Sequence, residues 1–180
     1  MTLQEKYLPT YQFSEVHAIS VNAEPKQVSA LLNNLDFRGS LIIRILFLLR
    51  GLPSTMLSLK GVGEKFKLME ETENQEIVIG LIGRFWKPTG DLQDFDISTF
   101  VAFSTPGFCK ATWSFRLIPD GSFTQVETET RIYCTDTASK KRFARYWFFV
   151  RPFSGLIRME ILRLVKKQAE QQATPEPTRL

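Results

Sequence analysis

The sequence predicts an α+β domain in which a curved antiparallel sheet of about six or seven strands wraps one long C-terminal helix, with two short helices after the first strand. Three observations predict it. Strand-like segments follow one another from Lys65 to Cys134 with turn signals between them. A helical stripe then runs from Thr137 to about Gln171. With 180 residues and 43% hydrophobic content, the chain holds enough apolar matter for one core and shows no Gly/Ser linker or internal repeat to divide it.

Glu15 to Val21 alternates, with His17, Ile19 and Val21 on one face, which reads as a strand. Pro25 suits a first helical position, and Val28, Leu31 and Leu32 follow at helical spacing up to Asn33 and Asn34. Ser40 is placed to cap a second helix from Leu41 to Arg50, stopped by Gly51 and Pro53. Strands are then expected at Lys65–Glu70, Glu76–Trp86, Ile97–Phe103, Lys110–Leu117 and Phe123–Cys134. In the last helix Phe143, Trp147, Val150, Phe153 (or Ser154), Ile157, Ile161, Leu164 and Gln168 step by three and four. The stripe passes straight through Pro152, so one long helix is expected rather than two. Residues 1–12 read as an N-terminal arm, 13–170 as the domain, and 171–180, with Pro175 and Pro177, as a loose tail.

Composition narrows the chemistry. The chain has 15 Phe, one His and two Cys. A zinc site built from His and Cys needs three or four such ligands, so no metal is expected, and two Cys in a chain this long imply no disulfide framework either. GxxxxGK[ST] and GxGxxG are both missing, and no cofactor is expected. The N-terminus carries no signal-peptide pattern, and Leu41–Leu49 is far short of a membrane span; a cytoplasmic protein with reduced thiols is expected. Net charge is +4, too mild for a dedicated nucleic-acid binder. Basic residues nevertheless gather from Lys140 to Lys167. They read either as a solvated helix face or as a weak contact for an anionic membrane surface. Oligomeric state is not legible.

The order of elements, together with Arg50-Gly51-Leu52-Pro53, Gly80-Leu81-Ile82-Gly83-Arg84-Phe85-Trp86, Thr128-Glu129-Thr130-Arg131, Arg145-Tyr146-Trp147 and Arg151-Pro152-Phe153-Ser154-Gly155-Leu156-Ile157-Arg158, resembles the START-like superfamily, also called SRPBCC, and within it an uncharacterised bacterial branch. The resemblance runs from about Phe13 to Glu170. It implies a helix-grip fold over a hydrophobic cavity, first and last strands paired, and one of two functions. One is binding of a small hydrophobic or lipid-like ligand. The other is a cyclase, aromatase or dehydratase activity run by acid–base groups of the cavity.

Candidate residues each have two readings. With Asp120 and Gly121 as the hairpin loop, Trp113 faces Thr128, Phe115 faces Val126 and Ala111 faces Thr130, an apolar face with hydroxyls suited to ligand contact. Glu127, Glu129 and Arg131 then lie on the other face as a solvated charge pair; a bulge would turn Glu129 and Arg131 inward beside His17. His17 is either hydrogen-bonded in place or the one group suited to proton transfer near neutrality. Tyr146 is a further acid–base candidate. Arg84 and Trp86 would share a strand face, lining a cavity mouth or stacking on one another. Phe143 and Trp147 are core or cavity wall. Arg151 and Arg158 are either ion-paired to the sheet or an anion clamp. Cys109 and Cys134 read as diagonal neighbours too far apart to bridge.

Overall fold

A computed structural model describes residues 1–33 and 67–173. The expected helix at Leu41–Arg50 lies outside these residues. In chain order the elements are α1 (Leu3–Tyr7), β1 (Phe13–Val21), α2 (Pro25–Asn33), β2 (Lys67–Thr72), β3 (Glu76–Gly83), α3 (Ile97–Phe100), β4 (Cys109–Asp120), β5 (Phe123–Cys134) and α4 (Thr137–Ala173). The described strands form one open antiparallel sheet in the order β1-β5-β4-β3-β2, five strands rather than six or seven. Part of the difference is Ile97–Phe103. Its Ile, Val and Phe favour a strand, but Asp96 is extended and one helical turn follows it, which buries Phe100 completely.

The β4–β5 hairpin shows how the faces are set. Asp120 pairs with Phe123, so the two loop residues are Gly121 and Ser122, with Gly121 at φ +61°. A glycine of positive φ at the first loop position, followed by a residue of negative φ, is a type II′ turn, not the type I′ turn that Asp-Gly suggests. The register therefore moves by two residues, and Trp113 pairs with Thr130, not Thr128. A shift of two keeps every side chain on its expected face.

The inner face thus carries Phe13, Glu15, His17, Ile19 and Val21 of β1, Ile77, Ile79 and Leu81 of β3, and the alternate residues from Cys109 to Leu117 and from Val126 to Cys134. The long helix lies against it. α4 continues through Pro152 as one helix. Asp136 starts it: its carboxylate accepts from the Ser139 N–H at 2.9 Å and the Ser139 hydroxyl at 2.7 Å, and from Gly107 N–H. These bonds favour the anion and hold its pKa well below the usual carboxylate range.

Two apolar clusters lie between sheet and α4. One gathers Val21, Val28, Leu32, Phe115, Val126, Ile157, Ile161, Leu162 and Val165 with α2. The other gathers Ile79, Leu81, Ala111, Ile132, Phe143 and Trp147. Phe143 stacks on Trp147 with centroids 5.6 Å apart. The outer face is covered too. There α1 and the β3–β4 connection pack Tyr7, Leu8, Phe95 and Phe100 on Met69, Val78 and Ile82. Gln4 of α1 donates to Ser114 Oγ at 3.0 Å and to the Glu129 carbonyl at 3.0 Å. Residues expected to be an arm therefore include a helix docked on the sheet.

Candidate functional site

Between the two inner clusters lies a belt of polar side chains. β1 and β5 pair antiparallel, setting Glu15 opposite Thr130 and His17 opposite Thr128. Because Glu15 and His17 are two residues apart, both side chains project from the inner face. There Glu15 Oε1 lies 3.2 Å from His17 Nε2. Arg158, from α4, donates through Nη1 to Glu15 Oε2 at 2.9 Å and through Nη2 and Nε to Thr130 Oγ1 at 2.8 and 3.2 Å. Trp113 Nε1 donates to Thr128 Oγ1 at 2.7 Å, and that hydroxyl donates in turn to the Ser114 carbonyl at 2.9 Å.

Gly155 makes this approach of helix to strand possible. A Cβ there would stand 2.9 Å from Glu15 Oε1 and 3.4 Å from the His17 ring. The pair it brings together is nearly dry, with side chains 10% exposed at Arg158 and 9% at Glu15. His17 is more open, at 22% exposed. Burying two charges is costly, and mutual attraction alone seldom repays it, so the Thr130 hydroxyl and the His17 ring supply the remaining hydrogen bonds. Charge is balanced inside the belt, Arg158 against Glu15.

The expected site residues divide between this belt and other places. His17, Trp113, Thr128 and Thr130 meet in it. Phe115 lies beside it in the first apolar cluster, and Phe143 and Trp147 in the second. Tyr146 packs against the second cluster with its ring 5.7 Å from Phe143. Glu129 and Arg131 do not join His17. The β4–β5 and β1–β5 registers run without a bulge, so both face outward, where Arg131 Nε donates to Glu129 Oε1 at 2.7 Å and its guanidinium lies over Tyr11. Burial opposes the Arg131 charge, but Glu129 outweighs it and raises the pKa above its ordinary value. The acid–base set His17, Glu129, Arg131 and Tyr146 is therefore split across the sheet. Glu127 is also outward, paired with Arg116 at 2.8 Å.

Arg84 and Trp86 do not share a strand, because β3 ends at Gly83. Arg84 lies over the Phe108 ring, 4.4 Å from its centroid, and 3.4 Å from Asp91, while Trp86 packs against the second cluster. Arg151 is exposed and Arg158 buried, so the two do not form one clamp. Cys109 and Cys134 are directly paired, not diagonal, as the two-residue register shift requires; their sulfurs are 2.8 Å apart, both as thiols. The contact with Cys134 and burial push the Cys109 thiol far above its ordinary pKa.

No known family model matches the chain, and no curated protein matches it. Solved structures do match over most of its length. CalU16 from Micromonospora echinospora is 11% identical, covering 88% of this chain and 86% of its own, with a TM-score of 0.32. TTHA0849 from Thermus thermophilus is 8% identical, covering 90% of this chain and 100% of its own, at 0.33. Mll3558 from Rhizobium loti is 10% identical, covering 81% and 96%, at 0.34. Function has to be argued from this chain's own residues.

Two residues of the belt were not singled out in the sequence as a pair. Glu15 opens the alternating segment that ends at Val21. Its signal was the alternation itself, since any residue two before His17 shares its face. A surface groove of about 340 Å³ at the end of the sheet, lined by Asn22, Glu24, Pro25, Gly121, Ser122 and Phe123, holds none of the belt residues. Among the described residues, no helix is long and apolar enough to cross a membrane.

Proposed function

We propose that the chain is a START-like protein that binds a small, largely apolar molecule between the sheet and α4. A single hydroxyl or carbonyl group of the ligand is held at the polar belt. The observation behind this reading is the combination at one place: an ion pair kept dry, a reachable histidine, and two hydroxyls, all bordered by aromatic walls. Pockets of this make-up use apolar surface for affinity and a few polar groups for orientation. Because Glu15 already balances Arg158, the belt favours a neutral polar group over a carboxylate or phosphate. His17 is the hydrogen-bonding partner within reach, with Trp113 as the adjoining wall.

Native mass spectrometry of protein purified from its host should reveal a retained hydrophobic molecule. In solution, 2-naphthol should bind more tightly than naphthalene by a few-fold to about tenfold, the worth of one hydrogen bond. Binding of 2-naphthalenesulfonate should be weaker than that of 2-naphthol. His17→Phe should abolish the preference for the alcohol. If naphthalene and its alcohol bind equally, or neither binds, the belt has no ligand role.

A second reading is favoured by the Glu15–His17 contact. A carboxylate that orients an imidazole is a usual arrangement for general acid–base catalysis. On that reading the chain is an enzyme of the cyclase, aromatase or dehydratase kind. Turnover of a polyketide-like substrate that is lost in both Glu15→Gln and His17→Gln, with binding retained, separates it from binding alone.

A further inference from the structure

The exposed side of α4 has a composition that neither ligand reading uses. Phe148 and Phe149 are 77% and 70% exposed, and their rings meet edge to face at 5.3 Å. Leu156 and Phe153 are exposed as well. On a helix of 3.6 residues per turn, Arg142, Arg145, Phe149, Phe153 and Leu156 fall along one side, with Lys141 and Phe148 flanking them. Lys140, Lys141, Arg142, Arg145 and Arg151 are all exposed, and the helix carries no carboxylate before Glu160. Among the described residues, the ion pairs of α4 are made by Arg158, Arg163 and Lys166, and none by those five cations.

We infer that this face of α4 docks on an anionic lipid bilayer, with Phe148, Phe149, Phe153 and Leu156 entering the headgroup boundary and Lys141, Arg142 and Arg145 lying among anionic headgroups. Aromatic and aliphatic side chains beside Lys and Arg on one helix face are the composition of interfacial helices. The bilayer surface is the partner that offers an apolar phase and negative charge at the same depth. A nucleic acid offers the charge without an apolar phase to receive Leu156 and Phe153. A second copy of this chain, meeting through a two-fold axis, would bring the same cations face to face, which is unfavourable. The buried side of α4 is anchored in both inner clusters, so the patch is already ordered and docking does not have to fold it.

Flotation of the full-length chain with vesicles tests this. The comparison is between phosphatidylcholine alone and an equimolar mixture of phosphatidylcholine and phosphatidylglycerol, at low and raised salt. Binding to the anionic vesicles should exceed binding to the neutral ones by about tenfold or more at low salt, and should fall as salt rises. Phe148→Ser/Phe149→Ser and Arg142→Glu/Arg145→Glu should each lower it by about tenfold. Their thermal unfolding should match the wild type, since the altered side chains are exposed. The inference is overturned by an absence of binding to anionic vesicles, or by wild type and both variants binding alike. It is also overturned if sedimentation velocity shows a dimer that Phe148→Ser/Phe149→Ser abolishes while vesicles bind nothing. None of these results depends on whether 2-naphthol binds the inner face.

Discussion

Replacing Arg158 by Met tests the polar belt at its most buried point. Met keeps most of the volume and the apolar stem but removes the charge and three hydrogen bonds, two to Thr130 and one to Glu15. Removing one partner of a buried ion pair costs about 3–5 kcal/mol, because the other charge is left without compensation in a poorly solvated place. The lost bonds to Thr130 fall within that range. A loss of about 3 kcal/mol at neutral pH follows, a fall in melting temperature of roughly 6–12 °C for a domain of this length. The assay is thermal and urea unfolding followed by circular dichroism, with Glu15→Gln and the double variant alongside. The double variant should recover to within about 1 kcal/mol of wild type, since neither charge remains, so that the losses of the two single variants do not add. A loss below about 1 kcal/mol in Arg158→Met, the worth of an exposed pair, would refute the reasoning. So would a double variant whose losses simply add.

Three further outcomes follow from the same geometry. Gly155→Ala should separate α4 from β1 and lower the melting temperature, because its Cβ meets Glu15 Oε1, the oxygen in contact with His17, on a carboxylate whose other oxygen accepts from Arg158; an unchanged melting curve would show that Glu15 moves aside at no cost. Asp136 binds the start of α4 as an anion with a depressed pKa, so its contribution is complete above the unfolded-state value near 4 and is lost as pH falls below it; the melting temperature of Asp136→Asn should fall less steeply with acid than that of wild type. Cys109 and Cys134 should resist a thiol reagent in the native protein and react in denaturant, because burial and the contact between them hold the Cys109 thiol in its protonated form; rapid labelling without denaturant would contradict this.

Much of the scaffold was legible because periodicity reports burial. The stripe through Phe143, Trp147, Ile157 and Ile161 defined α4 and outweighed Pro152. The alternation in β1, β4 and β5 groups side chains by face, and a turn displaced by an even number of residues leaves that grouping intact; whether Glu129 and Arg131 face inward rests on a bulge, which the β1–β5 and β4–β5 registers do not contain. What failed was decided by single tertiary contacts. Ile97–Phe103 has strand composition, yet Phe100 reaches the outer core only from a helical turn. Arg84 follows the end of β3, where a turn replaces pairing and the Phe108 ring becomes its partner. The belt was half visible. His17, Thr128, Thr130 and Trp113 followed from strand faces. The pairing of Glu15 with Arg158 joins residues at opposite ends of the chain, through a close approach at Gly155 that no local pattern encodes.

The central claim is that the inner-face belt orients a neutral apolar ligand. Its most direct test is a titration of isotope-labelled protein with 2-naphthol, followed by backbone and imidazole chemical shifts. The account predicts that the largest changes converge on His17, Thr128, Thr130 and Gly155, together with the Trp113 indole, and that they vanish in His17→Phe. Changes confined to the groove of Asn22 and Phe123, or to the outer face at Glu129 and Arg131, would contradict it.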